Sequence, residues 1–326
     1  MTQHHPYESL TPDMVLDAVE STGITSDARI LALNSYENRV YQVGIESSAP
    51  IIVKFYRPER WTNEQILEEH AYSLALKELE ISVVPPTVNE AGNTLHEFNQ
   101  FRFALYERQG GHAPNLDNLD TLLSLGRTLG RMHALGKEKI FTHRPDMSLD
   151  TYGYQSVQFL LDNHFIPDSL QKAYSSLTTD LLNVCAEQMK IRYQKIRLHG
   201  DCHPGNILWR HDTAHFVDFD DARNGPAIQD LWMLLSGERL QQIEQLSELL
   251  EGYREFCDFD LRELPLIESL RSLRIIHYSA WLARRWQDPA FPKFFPWFNT
   301  ERYWGEHILQ LREQLAAINE PPLVIY

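Results

Sequence analysis

The chain has 326 residues, 43% of them hydrophobic and 23% charged, which is the balance of an ordinary globular protein. Its formal net charge of −15 argues against nucleic acid as a partner, because that binding depends on Lys and Arg neutralising phosphates. No apolar run approaches the roughly 20 residues that cross a bilayer, and the first residues lack the basic and apolar regions of a secretory signal. The three cysteines are an odd number without C-x-x-C spacing, which favours a reducing compartment. We therefore expect a cytoplasmic protein with no nucleic-acid or membrane partner. A monomer is our expectation for the oligomeric state, although no sequence feature determines it.

The first hundred residues predict a short helix followed by strands. Residues 11–13, Thr-Pro-Asp, place a proline where a helix begins. Runs of β-branched and aromatic residues predict strands over residues 30–33, 39–45 and 51–56, and two further strand-like runs flank a turn at residues 92–93 and end near residue 107. Between them, Thr62 and Gln65 form a capping-box pattern that opens a helix running to about Glu80.

The remainder of the chain is mainly helical in pattern. Residues 118–135 carry apolar side chains at helical spacing, and we interpret His133 at the end of that stripe as a core residue. Residues 156–189 predict further helix, and a short strand is expected over residues 207–209. The segment after Asp230 is helical again, which makes this residue a candidate helix N-cap.

Two short segments carry the pattern of a phosphotransferase. Protein kinases use H-R-D-x-x-x-x-N followed by D-F-G, in which the first Asp orients the accepting hydroxyl and the Asn and second Asp hold magnesium. The same spacing occurs here in His199, Asp201 and Asn206, followed by Asp218-Phe-Asp220. Mg²⁺ prefers carboxylate and other hard oxygen ligands, with phosphate oxygens and water completing an octahedron. We therefore predict Asp201 and Asp218 as catalytic residues, and Asn206 and Asp218 as metal ligands.

These segments resemble the aminoglycoside phosphotransferase and choline kinase superfamily. Within it, a group of bacterial stress-response kinases is similar over further blocks spread along most of the chain: 34–41, 53–61, 198–209, 220–226, 229–234 and 288–293. The resemblance implies an α+β, bilobal, protein-kinase-like fold. It implies a small antiparallel-sheet N-lobe with one ion-pair helix (residues 1–107), which binds ATP, and a larger, mainly helical C-lobe (residues 108–326) for catalysis and substrate.

The resemblance also implies the activity. It indicates an ATP- and Mg²⁺-dependent kinase that transfers the γ-phosphoryl group to Ser or Thr of a protein substrate. A small-molecule kinase for an amine, aminoglycoside or sugar alcohol would use the same residues, so the residues themselves leave that alternative open. A non-catalytic nucleotide-binding scaffold is the third possibility, but it has no need of both a base and metal ligands.

Further nucleotide-binding residues follow from position in the lobe. Lys54 interrupts an apolar strand as the V-A-I-K lysine of kinases does, so we predict that it binds the phosphates. The following helix offers two partners: the helical wheel centres Glu68 on the apolar face, whereas the resemblance implies Glu69, which we select. Ser35, on a loop without glycine, is a candidate phosphate donor, and Glu107 marks the expected adenine-binding hinge. By resemblance, Asp230 would brace the His-Gly-Asp loop from behind.

Overall fold

The computed structural model describes residues 5–325 and contains nine strands and ten α-helices within them. The strands are β1 (Ser26–Ala32), β2 (Arg39–Ile45), β3 (Ile51–Phe55), β4 (His96–Phe98), β5 (Phe101–Glu107), β6 (Ile196–Leu198), β7 (Ile207–Arg210), β8 (Thr213–Phe216) and β9 (Arg223–Gly225). The helices are α1 (Pro12–Glu20), α2 (Asn63–Glu78), α3 (Leu119–Glu138), α4 (Gln155–Asp162), α5 (Asp168–Gln188), α6 (Ile228–Trp232), α7 (Arg239–Arg254), α8 (Ile267–Arg284), α9 (Ala290–Phe294) and α10 (Glu301–Ile318).

The chain divides into two compact units that are discontinuous in sequence. The first comprises the residues up to Asn115 together with Phe141–Arg144 and His203–Ala222. The second comprises Leu116–Ile140, Pro145–Cys202 and the residues from Arg223 onwards. The lobe boundary at residue 107 remains a prediction, and the outer limits of the predicted lobes, residues 1–4 and 326, lie outside the described residues.

The first unit is built on an antiparallel sheet of five strands in the order β1-β2-β3-β5-β4. One face of this sheet packs against α1, whose apolar residues Val15, Ala18 and Val19 join strand side chains such as Phe55 and Phe103 in a buried cluster. Helix α2 begins with the predicted capping box, in which the Gln65 N–H donates to the Thr62 hydroxyl and the Thr62 N–H donates to the Gln65 side chain. The antiparallel sheet expected for the N-terminal part is thus confirmed.

The second unit is mainly helical, as expected, and its closest helix pair depends on glycine. A Cβ added to Gly126 or Gly130 of α3 would collide with the carbonyl oxygen of Leu249 or Tyr253 on α7. The absence of side chains at these two positions therefore allows the two helix backbones to approach each other. With both parts observed, the predicted α+β class is confirmed. None of the helices within residues 5–325 combines the length and apolar character needed to span a membrane.

Two expected elements differ in the structure. The helix expected over residues 156–189 is divided into α4 and α5, because Pro167 has no N–H to continue the helical hydrogen bonds. The turn at residues 92–93 does not join two paired strands. Instead β4 and β5 are joined at Asn99, which has a positive φ of 53°. Residues 88–91, before the expected turn, form no strand.

Candidate active site

A two-stranded hairpin in the first unit brings Asn206 and Asp218 to the same end. In this hairpin of β7 and β8, Ile207 pairs with Phe216, so the residues flanking that pair lie side by side. The Val217 N–H donates to the Asn206 carbonyl at 3.0 Å and closes the end of the hairpin. Asp218 follows in the left-handed region, with φ 60° and ψ 65°, and there the chain turns away from the strand direction. The two predicted metal ligands are therefore held together by the backbone.

Lys54 lies in β3, in the interior of the five-stranded sheet, and its side chain is buried. Its Nζ is 2.8 Å from Asp218 Oδ1 and 3.3 Å from Asp220 Oδ1. Burial favours the neutral amine, but the charges of Asp218 and Asp220 outweigh that effect and raise the pKa of Lys54 well above its ordinary value. Lys54 is therefore a fixed cation next to the predicted metal-binding carboxylate.

Two arginines that the sequence did not single out hold the turn after Asp218. Arg60 pairs with the carboxylate of Asp220 and, at 2.9 Å, with that of Asp221. The Arg144 guanidinium donates to the Asp220 carbonyl at 2.8 Å. Burial would raise the pKa of Asp220, but Arg60 and Lys54 hold it at about 2. Asp220 therefore anchors the turn as an ionised carboxylate paired with Arg60 and Lys54.

The two candidate glutamates on α2 have different surroundings. The Glu68 carboxylate accepts the backbone N–H groups of Thr142, His143 and Arg144 at 2.6 to 2.8 Å, and so anchors a loop. Glu69 is buried, and burial raises its pKa to about 7 against the opposing charges of Lys54 and Arg144.

Lys54 makes its ion pairs with Asp218 and Asp220, and among the described residues no Lys54–Glu69 pair lies within 4 Å. A carboxyl group with a pKa of about 7 is only partly ionised at neutral pH, which makes Glu69 a weak ion-pair partner for Lys54. Glu69 is buried and interacts with Lys54 through its charge, but the ion pair expected between them is not formed. Its part in nucleotide binding remains a prediction.

The loop between β1 and β2 is held by side chains instead of glycine. The Ser35 hydroxyl donates to the Asn38 carbonyl at 3.1 Å, and Asn38 Oδ1 accepts the Arg57 N–H at 3.1 Å. Glu37 on the same loop pairs with Arg57 at 3.2 Å. These contacts define the loop conformation, while phosphate binding by Ser35 stays a prediction.

Glu107, the other predicted nucleotide-binding residue, ends β5 and is exposed. Its backbone pairs with Ile51 of β3. The preceding Tyr106 directs its hydroxyl to that of Tyr56 at 3.0 Å. The chain therefore leaves the sheet at the expected hinge position, and adenine binding there remains a prediction.

In the second unit, Asp230 holds the loop that carries Asp201. Its two carboxylate oxygens accept the N–H groups of His199, at 2.8 Å, and of Gly200, at 2.9 Å. The same carboxylate contacts His133 Nε2 at 3.1 Å, so the predicted core histidine takes part in the brace. Asp230 lies inside α6 rather than at its N-cap, which rules out the helix-cap interpretation. The bracing role inferred from the resemblance agrees with these hydrogen bonds.

Asp201 itself contacts a residue that sequence reasoning missed. Arg274 of α8 places its Nη1 2.5 Å from Asp201 Oδ1. The neighbouring Cys202 is fully buried, and burial raises the pKa of its thiol well above the ordinary value, which makes it a packing residue. Arg274 lies far along the chain from Asp201 in an ordinary helical segment, so no sequence signal identified the pair.

The donor chemistry at Asn206 and Asp218 fits magnesium. An amide oxygen and a carboxylate are hard ligands that leave several positions to phosphate oxygens and water, which is how proteins usually hold this ion. Within residues 5–325, no group of three or more His, Cys, Asp or Glu side chains could form a cage for a metal ion. Asn206 and Asp218 match the small number of protein ligands that Mg²⁺ takes when phosphate oxygens and water complete its coordination.

Comparisons with known proteins identify the class. The family described as "Phosphotransferase enzyme family" matches residues 29–267, and the chain belongs to this family. It is 46% identical to stress response kinase A of Escherichia coli (strain K12), over 97% of the chain and 96% of the relative. It is 45% identical, over the same shares, to a protein of Salmonella typhimurium named serine/threonine protein kinase RdoA.

Solved structures show the same fold at low sequence identity. An amicoumacin kinase in complex with AMP-PNP, Ca²⁺ and Ami superposes with a TM-score of 0.72 at 20% identity, covering 96% of this chain and 94% of that one. A microcompartment-associated aminopropanol kinase gives a TM-score of 0.68 at 17% identity, covering 94% and 96%. These neighbours confirm the kinase-like fold that the sequence predicted.

Proposed function

We propose that the chain is a serine/threonine protein kinase that uses ATP and Mg²⁺, acting as a cytoplasmic monomer. The observation that carries the protein-acceptor part is the relationship to a serine/threonine protein kinase at 45% identity over 97% of the chain. The small-molecule kinases among the structural neighbours are 20% identical or less, and therefore support the fold alone.

In this proposal, each unit contributes a separate part of the chemistry. In the first unit, Asn206 and Asp218 hold Mg²⁺, and Lys54 binds phosphate oxygens, assisted by Ser35. Glu107 marks the adenine-binding segment, and Glu69 is near enough to Lys54 to interact with its charge. When bound, the metal neutralises the charge of the phosphates. The support is the hairpin that holds Asn206 beside Asp218 and the ion pair between Asp218 and Lys54.

In the second unit, Asp201 orients the accepting hydroxyl. The hydroxyl oxygen forms a bond to the γ-phosphorus, the bond from the γ-phosphorus to the bridging oxygen of ADP breaks, and Asp201 takes the hydroxyl proton as general base. The Asp230 brace supports this role, because it fixes the backbone on which Asp201 stands. That Asp201 acts together with Asn206 and Asp218 rests on their spacing in the sequence and on the family.

The experiment that tests the proposal offers two classes of acceptor to the same enzyme. The purified protein is incubated with labelled ATP, Mg²⁺, a generic basic protein, and a panel of aminoglycosides and amino alcohols. We expect phosphate on serine or threonine of the protein, located by mass spectrometry, and unmodified small amines. Phosphate on a small amine, with none on any serine or threonine, would refute the protein-kinase assignment and favour a small-molecule kinase.

A further inference from the structure

The carboxylate of Asp201 is held by a cation on its own unit. Arg274 Nη1 lies 2.5 Å from Asp201 Oδ1, and the side chains of Arg274 and Asp201 are 35% and 22% exposed. The two opposite charges are therefore in direct contact, as an ion pair between partly buried groups. Asp201 is therefore a carboxylate with a positive charge already at contact distance.

The contact is independent of the backbone brace. Asp230 and Gln229 bind the main chain of the loop, through the N–H groups of His199 and Gly200 and the Gly200 carbonyl. Arg274 instead binds the side chain, from helix α8, whose neighbouring residues Leu273 and Ile276 are buried and fix its position. Backbone and carboxylate of the candidate base are thus positioned by two different elements.

The charge of Arg274 has a consequence for the acceptor. A carboxylate without a cationic partner attracts an ammonium group. A carboxylate that is already paired with a guanidinium offers little net attraction, and the guanidinium itself repels a second cation. An acceptor that carries a positive charge within a few ångströms of its hydroxyl is therefore disfavoured at Asp201. A neutral hydroxyl, such as a serine or threonine with uncharged neighbours, carries no such penalty.

We propose that Arg274 is a specificity-determining residue that positions Asp201 for a neutral hydroxyl and discriminates against acceptors with a cation beside the hydroxyl. This inference rests on the proposed function, since it assigns the acceptor of the same transfer step. It is compatible with a basic protein substrate, because the net charge of −15 favours association with cations in general, while Arg274 acts only beside the reacting group.

The test uses two peptides copied from a serine site that the enzyme phosphorylates in the basic protein. They differ only in the residue next to the serine, which is lysine in one and norleucine in the other. The kcat/KM of both is measured for the wild-type protein, Arg274→Met, which keeps the side-chain length without the charge, and Arg274→Lys, which keeps the charge. Arg284→Met is the matched control, because Arg284 lies on the same helix but contacts Gln155 and Phe159 instead of Asp201.

We expect the wild-type protein and Arg284→Met to prefer the norleucine peptide. In Arg274→Met this preference should shrink by about fivefold or more, because about fivefold is what two unit charges roughly 4 Å apart contribute even in bulk water. The kcat should fall while the KM for ATP stays unchanged. Arg274→Lys should retain the preference. An unchanged preference in folded Arg274→Met, checked by thermal unfolding, would overturn the inference and leave the proposed function intact. Failure of the wild-type protein to phosphorylate any serine or threonine would overturn both.

Discussion

Replacement of the neighbouring glutamates on α2 by glutamine should change stability in opposite directions. Burial raises the pKa of Glu69 to about 7 from an ordinary value of 4.5, so the folded state binds a proton more tightly than the unfolded state does. The contribution of protonated Glu69 to the free energy of unfolding is therefore fully present at low pH. It is lost as the pH rises from about 4.5 through about 7. With 1.36 kcal/mol per pKa unit, ionised Glu69 costs the wild-type protein about 2–3 kcal/mol more at pH 8 than at pH 5.

Glu69→Gln removes this cost because glutamine imitates the protonated form. The free energy of unfolding is measured for Glu69→Gln and wild type by urea unfolding at pH 5 and at pH 8. The difference, variant minus wild type, should be about 2–3 kcal/mol larger at pH 8 than at pH 5. Glu68 is the matched control: backbone N–H groups outweigh its partial burial and lower its pKa, so its charge contributes stability that is present above the unfolded pKa. Glu68→Gln should therefore be less stable than wild type at pH 8. A pH-independent difference between Glu69→Gln and wild type would refute the assigned environment of Glu69.

Three further changes test the brace, the helix packing and the metal ligand. Asp230→Asn leaves one of two buried N–H groups without an acceptor, so the free energy of unfolding should fall by about 1–3 kcal/mol and kcat should fall as well. Unaltered urea unfolding and turnover would contradict this. Gly130→Ala forces a Cβ against the Tyr253 carbonyl and should destabilise the protein by about 1–3 kcal/mol. Gly305→Ala, in open space within α10, should stabilise it by up to about 1 kcal/mol. Equal melting temperatures of the two variants would argue against the close packing of α3 on α7. Asp218→Ala should lose Mg²⁺-dependent nucleotide binding in calorimetry, and retained tight binding would exclude Asp218 as a ligand.

Local features of the fold were predictable because their determinants lie within a few residues of sequence. The capping box at Thr62 and Gln65 was correct in both of its hydrogen bonds, and the strands around Lys54 were placed within a few residues. The division between α4 and α5 was missed although Pro167 was visible, because the apolar pattern continues across the break.

The candidate site was predictable where order and spacing carry the chemistry. Asp201, Asn206 and Asp218 follow from two short segments, whereas Arg60 and Arg274 could not be distinguished among 30 lysines and arginines. Their roles depend on which carboxylate the folded chain brings to them, and that is a tertiary property. The helical wheel likewise centred Glu68 on the apolar face, because it could not foresee that the loop at residues 142–144 binds Glu68 while Glu69 is buried.

The central claim is that Asp201 is the group that orients the accepting hydroxyl, and Asp201→Asn tests it most directly. The measurement is phosphate transfer from γ-labelled ATP to serine and threonine of the basic protein, with nucleotide affinity determined on the same preparation. Loss of a positioned general base should lower turnover by roughly 10²–10⁴-fold while Mg-ATP still binds with wild-type affinity. Near-normal phosphotransfer by Asp201→Asn would remove Asp201 from the mechanism and contradict the account.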